Sequence, residues 1–367
     1  MRRTLILHIG LERTGTTSLQ RFCADHQRQL RDASILYPTR SLAYHGGVWR
    51  NHAPLACCYF HDQLRDLTVP FPADRRADVL ASLFREIDSS GVDVALLSSE
   101  HFSSRLREPQ AQALAADLAG YDCRVSVVVR DHLSRFFSSY STHVIAGGVT
   151  SLDAYADGML SPGSLHFKTA DLIRAWDEAF GPENVGVFAY DRKGDALRAM
   201  IERFAPGESA KLSLPPLSRY GDNFSYGPLV TEAFRRANIR ATERGSWADT
   251  PRDWARRRVI NFLLKMWLRA TRINPRSGLW RLDDARMARL MALAEADRQT
   301  LGERYGVRPP EEGASKAANA ELSEPFFEAF LKRADALWRT ADAIEPMFEA
   351  ARVTARTTRL ARSALGL

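Results

Sequence analysis

The sequence predicts an α/β protein: a parallel β-sheet flanked by helices, with a helical C-terminal region. Three observations predict it. Short, almost continuous apolar runs occur at residues 4–9 (TLILHI), 92–97 (VDVALL), 124–129 (RVSVVV) and 184–190 (NVGVFAY). Such runs suit strands buried on both faces. Helical periodicities lie between or after them, at residues 18–30, 77–89, 108–119, 133–145 and 164–180, and strands that alternate with helices imply a parallel sheet covered on both sides. The character then changes: "PGESAKLSLPPLSRYGDNFSYGP" has the proline, glycine and serine content of a long loop, and beyond Leu229 the pattern is helical and rich in Ala and Arg. The predicted layout is an α/β core over residues 1–240 and a helical region over 241–367 packed on it. Neither an internal repeat nor a low-complexity tract interrupts it.

With 367 residues, 45% of them hydrophobic, the chain can bury a substantial core. No stretch approaches the roughly 18 uncharged apolar residues of a membrane span. The opening "MRRTLILHIGLERTG" is a poor signal peptide, because its apolar run enters a glycine turn at once. The expectation is a cytoplasmic protein. Cys23, Cys57, Cys58 and Cys123 form neither a C-x-x-C pair nor a zinc-spaced cluster, which argues against a disulfide framework or a structural metal. A net charge of +7 favours an anionic ligand or surface.

The first strand leads into the most informative stretch, "LILHIGLERTGTTSLQ" at residues 5–20. Gly10 and Gly15 bound a turn, and Thr16, Thr17 and Ser18 open a helix. Strand, glycine turn and helix N-terminus in succession aim backbone N–H groups at one anion. The glycine spacing is that of the nucleotide-binding G-x-x-x-x-G-K-[ST] loop, yet Thr16 stands where the lysine belongs. That lysine neutralises the β- and γ-phosphates of a triphosphate, so its loss argues against an ATPase. A cation stands inside the turn instead, at Arg13, within reach of a ligand's bridging oxygen.

At these residues the chain resembles the sulfotransferases that use 3'-phosphoadenosine 5'-phosphosulfate (PAPS), in particular bacterial, carbohydrate-sulfotransferase-like members. Their 5'-phosphosulfate loop reads HIGxxKTGTTSLQ, and this chain reads HIGLERTGTTSLQ, with Arg13 in place of lysine. Arginine keeps the charge but replaces a compact ammonium by a planar fork. The resemblance implies a P-loop-type sulfotransferase fold in which Arg13, Thr14, Gly15, Thr16, Thr17 and Ser18 hold the 5'-phosphosulfate and Arg13 stabilises the departing oxygen. The family's second signature, for the 3'-phosphate, is a strand ending in arginine and a helix bearing serine eight residues later; "VVVRDHLSRFFSSY" supplies Arg130 and Ser138. An arginine leaving the sheet at its C-terminal edge and a serine two turns along the next helix can grip one phosphate by charge-assisted bonds. "LIRAWDEAFGPENVGVFAYDR" and "DNFSYGPLVTEAFRRAN" extend the likeness over residues 4–240 or so. The family needs no metal, and the sulfonate in transfer carries less negative charge than a γ-phosphoryl group.

Sulfuryl transfer also requires a base for the acceptor hydroxyl. The first candidate is Glu100 in "VALLSSEHF", at a strand end that opens toward the crevice, and the second is His101. Glu100 can equally cap a helix or pair with Arg105 or Arg107. His52 in "GGVWRNHAPL" is a rival, with His45 in the same loop, while His8, inside the first strand, reads as a core histidine. Arg40, Arg50 and Arg105 favour a polar or anionic acceptor such as a glycan or glycolipid. The helix pattern at residues 254–272 sets Val259, Phe262, Leu263, Met266, Trp267 and Ala270 against Arg256, Arg257, Lys265 and Arg269. It reads as a helix packed on the core, with peripheral contact to an anionic membrane as the alternative. Nothing in the sequence points to nucleic acid. Alternative functions are a P-loop kinase or NTPase and a non-catalytic nucleotide-binding module.

Overall fold

The structure, a computed structural model, describes residues 2–39, 51–60, 75–190, 196–212, 226–245, 251–270, 274, 276, 278, 280–309 and 324–340. In chain order the elements begin β1 (Thr4–His8), α1 (Thr16–Asp25), α2 (Gln27–Asp32), β2 (Ile35–Leu36), α3 (Ala53–Cys57), α4 (Arg76–Asp88) and β3 (Val94–Ser98). Next come α5 (Glu100–Arg105), α6 (Glu108–Asp117), β4 (Asp122–Val129), α7 (His132–Ile145), α8 (Leu152–Met159), α9 (Thr169–Phe180), β5 (Val185–Ala189), α10 (Ala196–Phe204) and α11 (Pro206–Ser209). The last are α12 (Pro228–Glu243), α13 (Pro251–Ala270), α14 (Asp284–Tyr305) and α15 (Glu324–Arg339). The strands form one parallel sheet in the order β2-β3-β1-β4-β5.

Both faces of this sheet are buried, which is why its strands read as runs rather than alternations. Leu5 and Leu7 of β1, with Ile9 just beyond it, share one core with Leu83 of α4, Leu114 of α6 and Trp176 of α9. Ile6 points the other way, toward Leu19, Phe22 and Cys23 of α1 and Met200 of α10. Residue parity therefore decides which helix layer each strand side chain meets. His8, Ser98 and Ser126 stand side by side across β1, β3 and β4 on the α1 face.

Two compact units divide the chain. One comprises Met1–Ser139, Ala156–Phe224 and Leu282–Gly313, the other Tyr140–Tyr155, Ser225–Arg281 and Ala314–Leu367. Each unit is assembled from three separate segments of the chain. The first unit holds the sheet and also α14, which a buried carboxylate fastens: Asp297 accepts from His132 Nε2 and from the Ala170 N–H, both at 2.8 Å. In the second unit Phe234 and Phe330 pack edge to face at 5.0 Å, and Asn238 Nδ2 donates to the carbonyls of Val144 and Gly148.

Elsewhere local chemistry moves the expected boundaries. The helix expected over 18–30 is broken at His26, whose ring stacks on Phe22 and whose Nδ1 lies 3.1 Å from the Phe22 carbonyl. In α13 the buried face is Ile260, Leu264 and Leu268, while Phe262 and Met266 are exposed, so its apolar residues do not share one face. Among the described residues no helix is long and apolar enough to cross a membrane, and the four cysteines are free thiols.

Candidate functional site

The chain leaves β1 toward β2 on one side of the sheet and leaves β4 toward β5 on the other. Because β1 and β4 are neighbours, their C-terminal ends flank a topological switch point, where open parallel sheets leave a crevice for ligands. The Gly10–Gly15 turn caps β1 there. Gly10 adopts φ +47°, and a Cβ on it would lie 2.7 Å from Thr16 Oγ1. Gly15 adopts φ +85°, and a Cβ on it would lie 3.2 Å from the Tyr190 ring. Between them Arg13 sits at φ +70°, a left-handed conformation that costs a non-glycine residue about 1–2 kcal/mol.

The turn delivers an uncapped helix. Gly15, at the N-cap of α1, supplies no side-chain bond, and neither its N–H nor that of Thr16 finds an acceptor among the described residues. Such unpaired donors, together with the helix dipole, make a place for an anion. The hydroxyls behave differently. Thr14 Oγ1 donates to the Leu11 carbonyl at 2.6 Å and Thr16 Oγ1 to the same oxygen at 3.3 Å, so both brace the turn from within. Thr17 and Ser18 are half-buried.

The two phosphate motifs meet directly. Arg13 Nε donates to Ser138 Oγ at 2.6 Å, and an Arg130 terminal nitrogen donates to the Arg13 carbonyl at 3.2 Å. Arg130 also lies 3.5 Å from Asp131 Oδ2 and over the Tyr190 ring at 5.1 Å, yet its Nε is buried without a hydrogen-bond acceptor. Asp131 turns its other oxygen to the Ser134 N–H at 2.7 Å, steadying the first turn of α7. Burial, and after it the Arg130 charge, hold the Arg13 guanidinium below its ordinary value, against the opposing pull of Glu12 and Tyr190. Two guanidiniums that repel one another, each half-buried at the strand ends, are stabilised by an added anion.

At the neighbouring end of β3, Ser99 caps α5 by accepting the His101 N–H at 3.2 Å, which leaves Glu100 in the first helical turn. Glu100 Oε2 accepts from Gln20 Nε2 at 2.9 Å, and among the described residues Glu100 has no ion pair with Arg105 or Arg107. Ser103, one turn on, donates to the Gly10 carbonyl and so ties α5 to the phosphate turn. His101 is half-buried, with Nδ1 unpaired.

His52 is placed otherwise. It is wholly buried, its Nδ1 accepts the Ser98 N–H at 3.0 Å, and its ring meets Tyr37 edge-on at 4.9 Å. Burial holds it down to about 4, hence neutral. His8 is likewise buried and lowered to about 4; its Nδ1 meets Ser98 Oγ at 2.8 Å while its Nε2 has no partner. His45, Arg40 and Arg50 lie outside the described residues.

Sequence reasoning singled out neither Gln20, nor Tyr190 as a site residue, nor His166. The His166 Nε2 lies 3.9 Å from Glu12 of the turn and 3.3 Å from Ser139 Oγ. Burial first, then the charges of Arg135 and Arg107, lower it to about 3. Gln20 ends the HIGLERTGTTSLQ motif, and its other sequence signal is that of a polar residue on the apolar face of α1. Among the described residues no group of three or more His, Cys, Asp or Glu is placed to hold a metal ion. Comparison with protein-family models, curated protein sequences and solved structures finds no match.

Proposed function

We propose that this protein is a sulfotransferase of P-loop type that moves a sulfuryl group from PAPS to an acceptor hydroxyl on a glycan or glycolipid. The observation that carries the reading is the contact of the two phosphate motifs, Arg13 with Ser138 and Arg130 with the Arg13 carbonyl, across a strand-end crevice. Adjacent anion sites suit a nucleotide bearing charged groups at both its 5' and 3' positions. A triphosphate would ask for a lysine at position 16, where Thr16 stands with its hydroxyl turned to Leu11.

In this reading the Gly15 and Thr16 N–H groups hold the 5'-phosphosulfate, and Arg130 with Ser138 holds the 3'-phosphate. The acceptor oxygen attacks sulfur and forms the new O–S bond as the bond from sulfur to the phosphate oxygen breaks. The acceptor proton passes to the Glu100 carboxylate, and Arg13 stabilises the charge that builds on the departing 3'-phosphoadenosine 5'-phosphate (PAP). Glu100 is preferred to His52, because His52 is wholly buried and bound to β3, and to His101, because Glu100 alone belongs to a side-chain network. We place the protein in the cytoplasm, with Phe262 and Met266 of α13 as a point of contact for an anionic membrane. Incubation with sulfur-35 PAPS and a panel of glycan and glycolipid acceptors tests the activity. Label moving to an acceptor supports it, and release of label as free sulfate alone contradicts it.

A further inference from the structure

Gln20 closes the 5'-phosphosulfate motif without a phosphate-binding role of its own; it is only 4% exposed, and its amide reaches from α1 to the end of β3. Gln20 Nε2 lies 2.9 Å from Glu100 Oε2 and 3.3 Å from Ser98 Oγ, and Ser98 Oγ lies 2.8 Å from His8 Nδ1. The chemistry orients this chain. An ionised carboxylate only accepts, so the amide nitrogen, not its oxygen, must face Glu100. Ser98 Oγ then accepts from Gln20 and donates its own hydrogen to His8 Nδ1, which suits a neutral imidazole. The bonds therefore run outward from the amide, one to a single carboxylate oxygen and the other through Ser98 to His8. The other oxygen, Oε1, has no donor among the described residues.

We infer that Gln20 is the positioning residue of the transfer reaction, clamping Glu100 Oε2 so that Oε1 is presented to the acceptor hydroxyl. The inference rests on the sulfotransferase reading. In the step it serves, the acceptor O–H proton goes to Oε1, the acceptor oxygen bonds to sulfur, and the sulfur–phosphate oxygen bond breaks to release PAP. The atoms of Gln20 are neither consumed nor charged.

The test compares wild type with Gln20→Met, close in length and without donors. Carboxyl carbon-13 NMR at pH 7, with Glu100 assigned through Glu100→Gln, follows the hydrogen bonding of that carboxyl and needs no acceptor. Loss of the amide is expected to move the Glu100 carboxyl resonance. With a mixture of methyl glycosides as acceptor, PAP release at saturating PAPS is expected to fall by about tenfold or more, with calorimetric affinity for PAP within about twofold of wild type. Ser98→Ala, which removes the brace on the amide, is expected to move both readouts the same way by less, and it stands in should Gln20→Met fail to fold. An unchanged Glu100 carboxyl resonance, or unchanged turnover, overturns the inference. Failure of the wild type to bind PAP overturns the functional reading instead, a result the carboxyl resonance does not imitate.

Discussion

At the ends of β1 and β4 the protein gathers charged groups around an uncapped helix N-terminus, whereas at the end of β3 one neutral amide donates to a single carboxylate and, through Ser98, is braced against His8. In the first region the Arg130 charge opposes that of Arg13, the N-terminus of α1 is uncapped, and Arg130 Nε, 3.5 Å from Asp131 Oδ2, makes no hydrogen bond. In the second, Gln20 and Ser98 connect Glu100 to His8 without any charged donor. A binding half left electrostatically incomplete gains most from its ligand. A proton-accepting half must already be in place when the acceptor arrives, since a base misplaced by an ångström loses rate. The two halves should therefore fail differently.

The largest expected effect is on rate. Arg13→Ala removes the cation nearest the departing oxygen, and loss of one such group costs about 2.7–4 kcal/mol in the transition state. Steady-state turnover is thus expected to fall by two to three orders of magnitude, with little change in melting temperature because Ala inherits the same left-handed backbone. Near-normal turnover removes Arg13 from the chemistry. Next, Arg130→Ala deletes a charge-assisted contact worth about 1.5–3 kcal/mol, so calorimetry should find PAP bound more weakly by roughly ten- to a hundredfold. An Arg130 variant that binds as well as wild type collapses the distinction between the halves.

Gly10→Ala probes the turn itself. Its Cβ would meet Thr16 Oγ1 at 2.7 Å at a φ of +47°, so a loss of about 1–2 kcal/mol is expected in urea unfolding, together with weaker PAP binding. The smallest effect per step is on acid stability. His8 and His52 lie near 4 and His166 near 3, all below the 6.5 of an unfolded histidine, so the unfolded chain binds more protons in that window. The stability from keeping these rings neutral is complete above about pH 6.5 and is lost as pH falls toward 4 and then 3. Each ring contributes up to about 1.4 kcal/mol per pH unit. Urea titrations at pH 7 and pH 5 measure the slope, and His8→Gln should reduce it by one ring's share.

The difference between the halves also governs what could be read from sequence. The phosphate turn is local: strand, Gly10, Gly15 and helix lie within a few residues, and glycine is required there by backbone geometry. Arg130 and Ser138 share one strand–helix junction, so their spacing was visible although their contact with Arg13 was not. The Gln20–Glu100 bond joins residues whose meeting depends on the register of β1 against β3 and on strand parity, neither of which leaves a sequence pattern. Hydroxyl direction was equally hidden, as Thr14 and Thr16 illustrate by turning to Leu11. The two-residue β2 is too short to show a period, and α14 joins the sheet-bearing unit through Asp297, Leu301 and the Tyr305 bond to Asp177, contacts between residues far apart in sequence.

Titration of the wild-type protein with PAP in a calorimeter, without metal and beside ATP with magnesium, tests the central claim most directly. The account predicts one PAP bound per chain, affinity that weakens as salt is added, and a marked loss in Arg130→Ala. Absence of PAP binding, or a preference for magnesium-ATP, would contradict it.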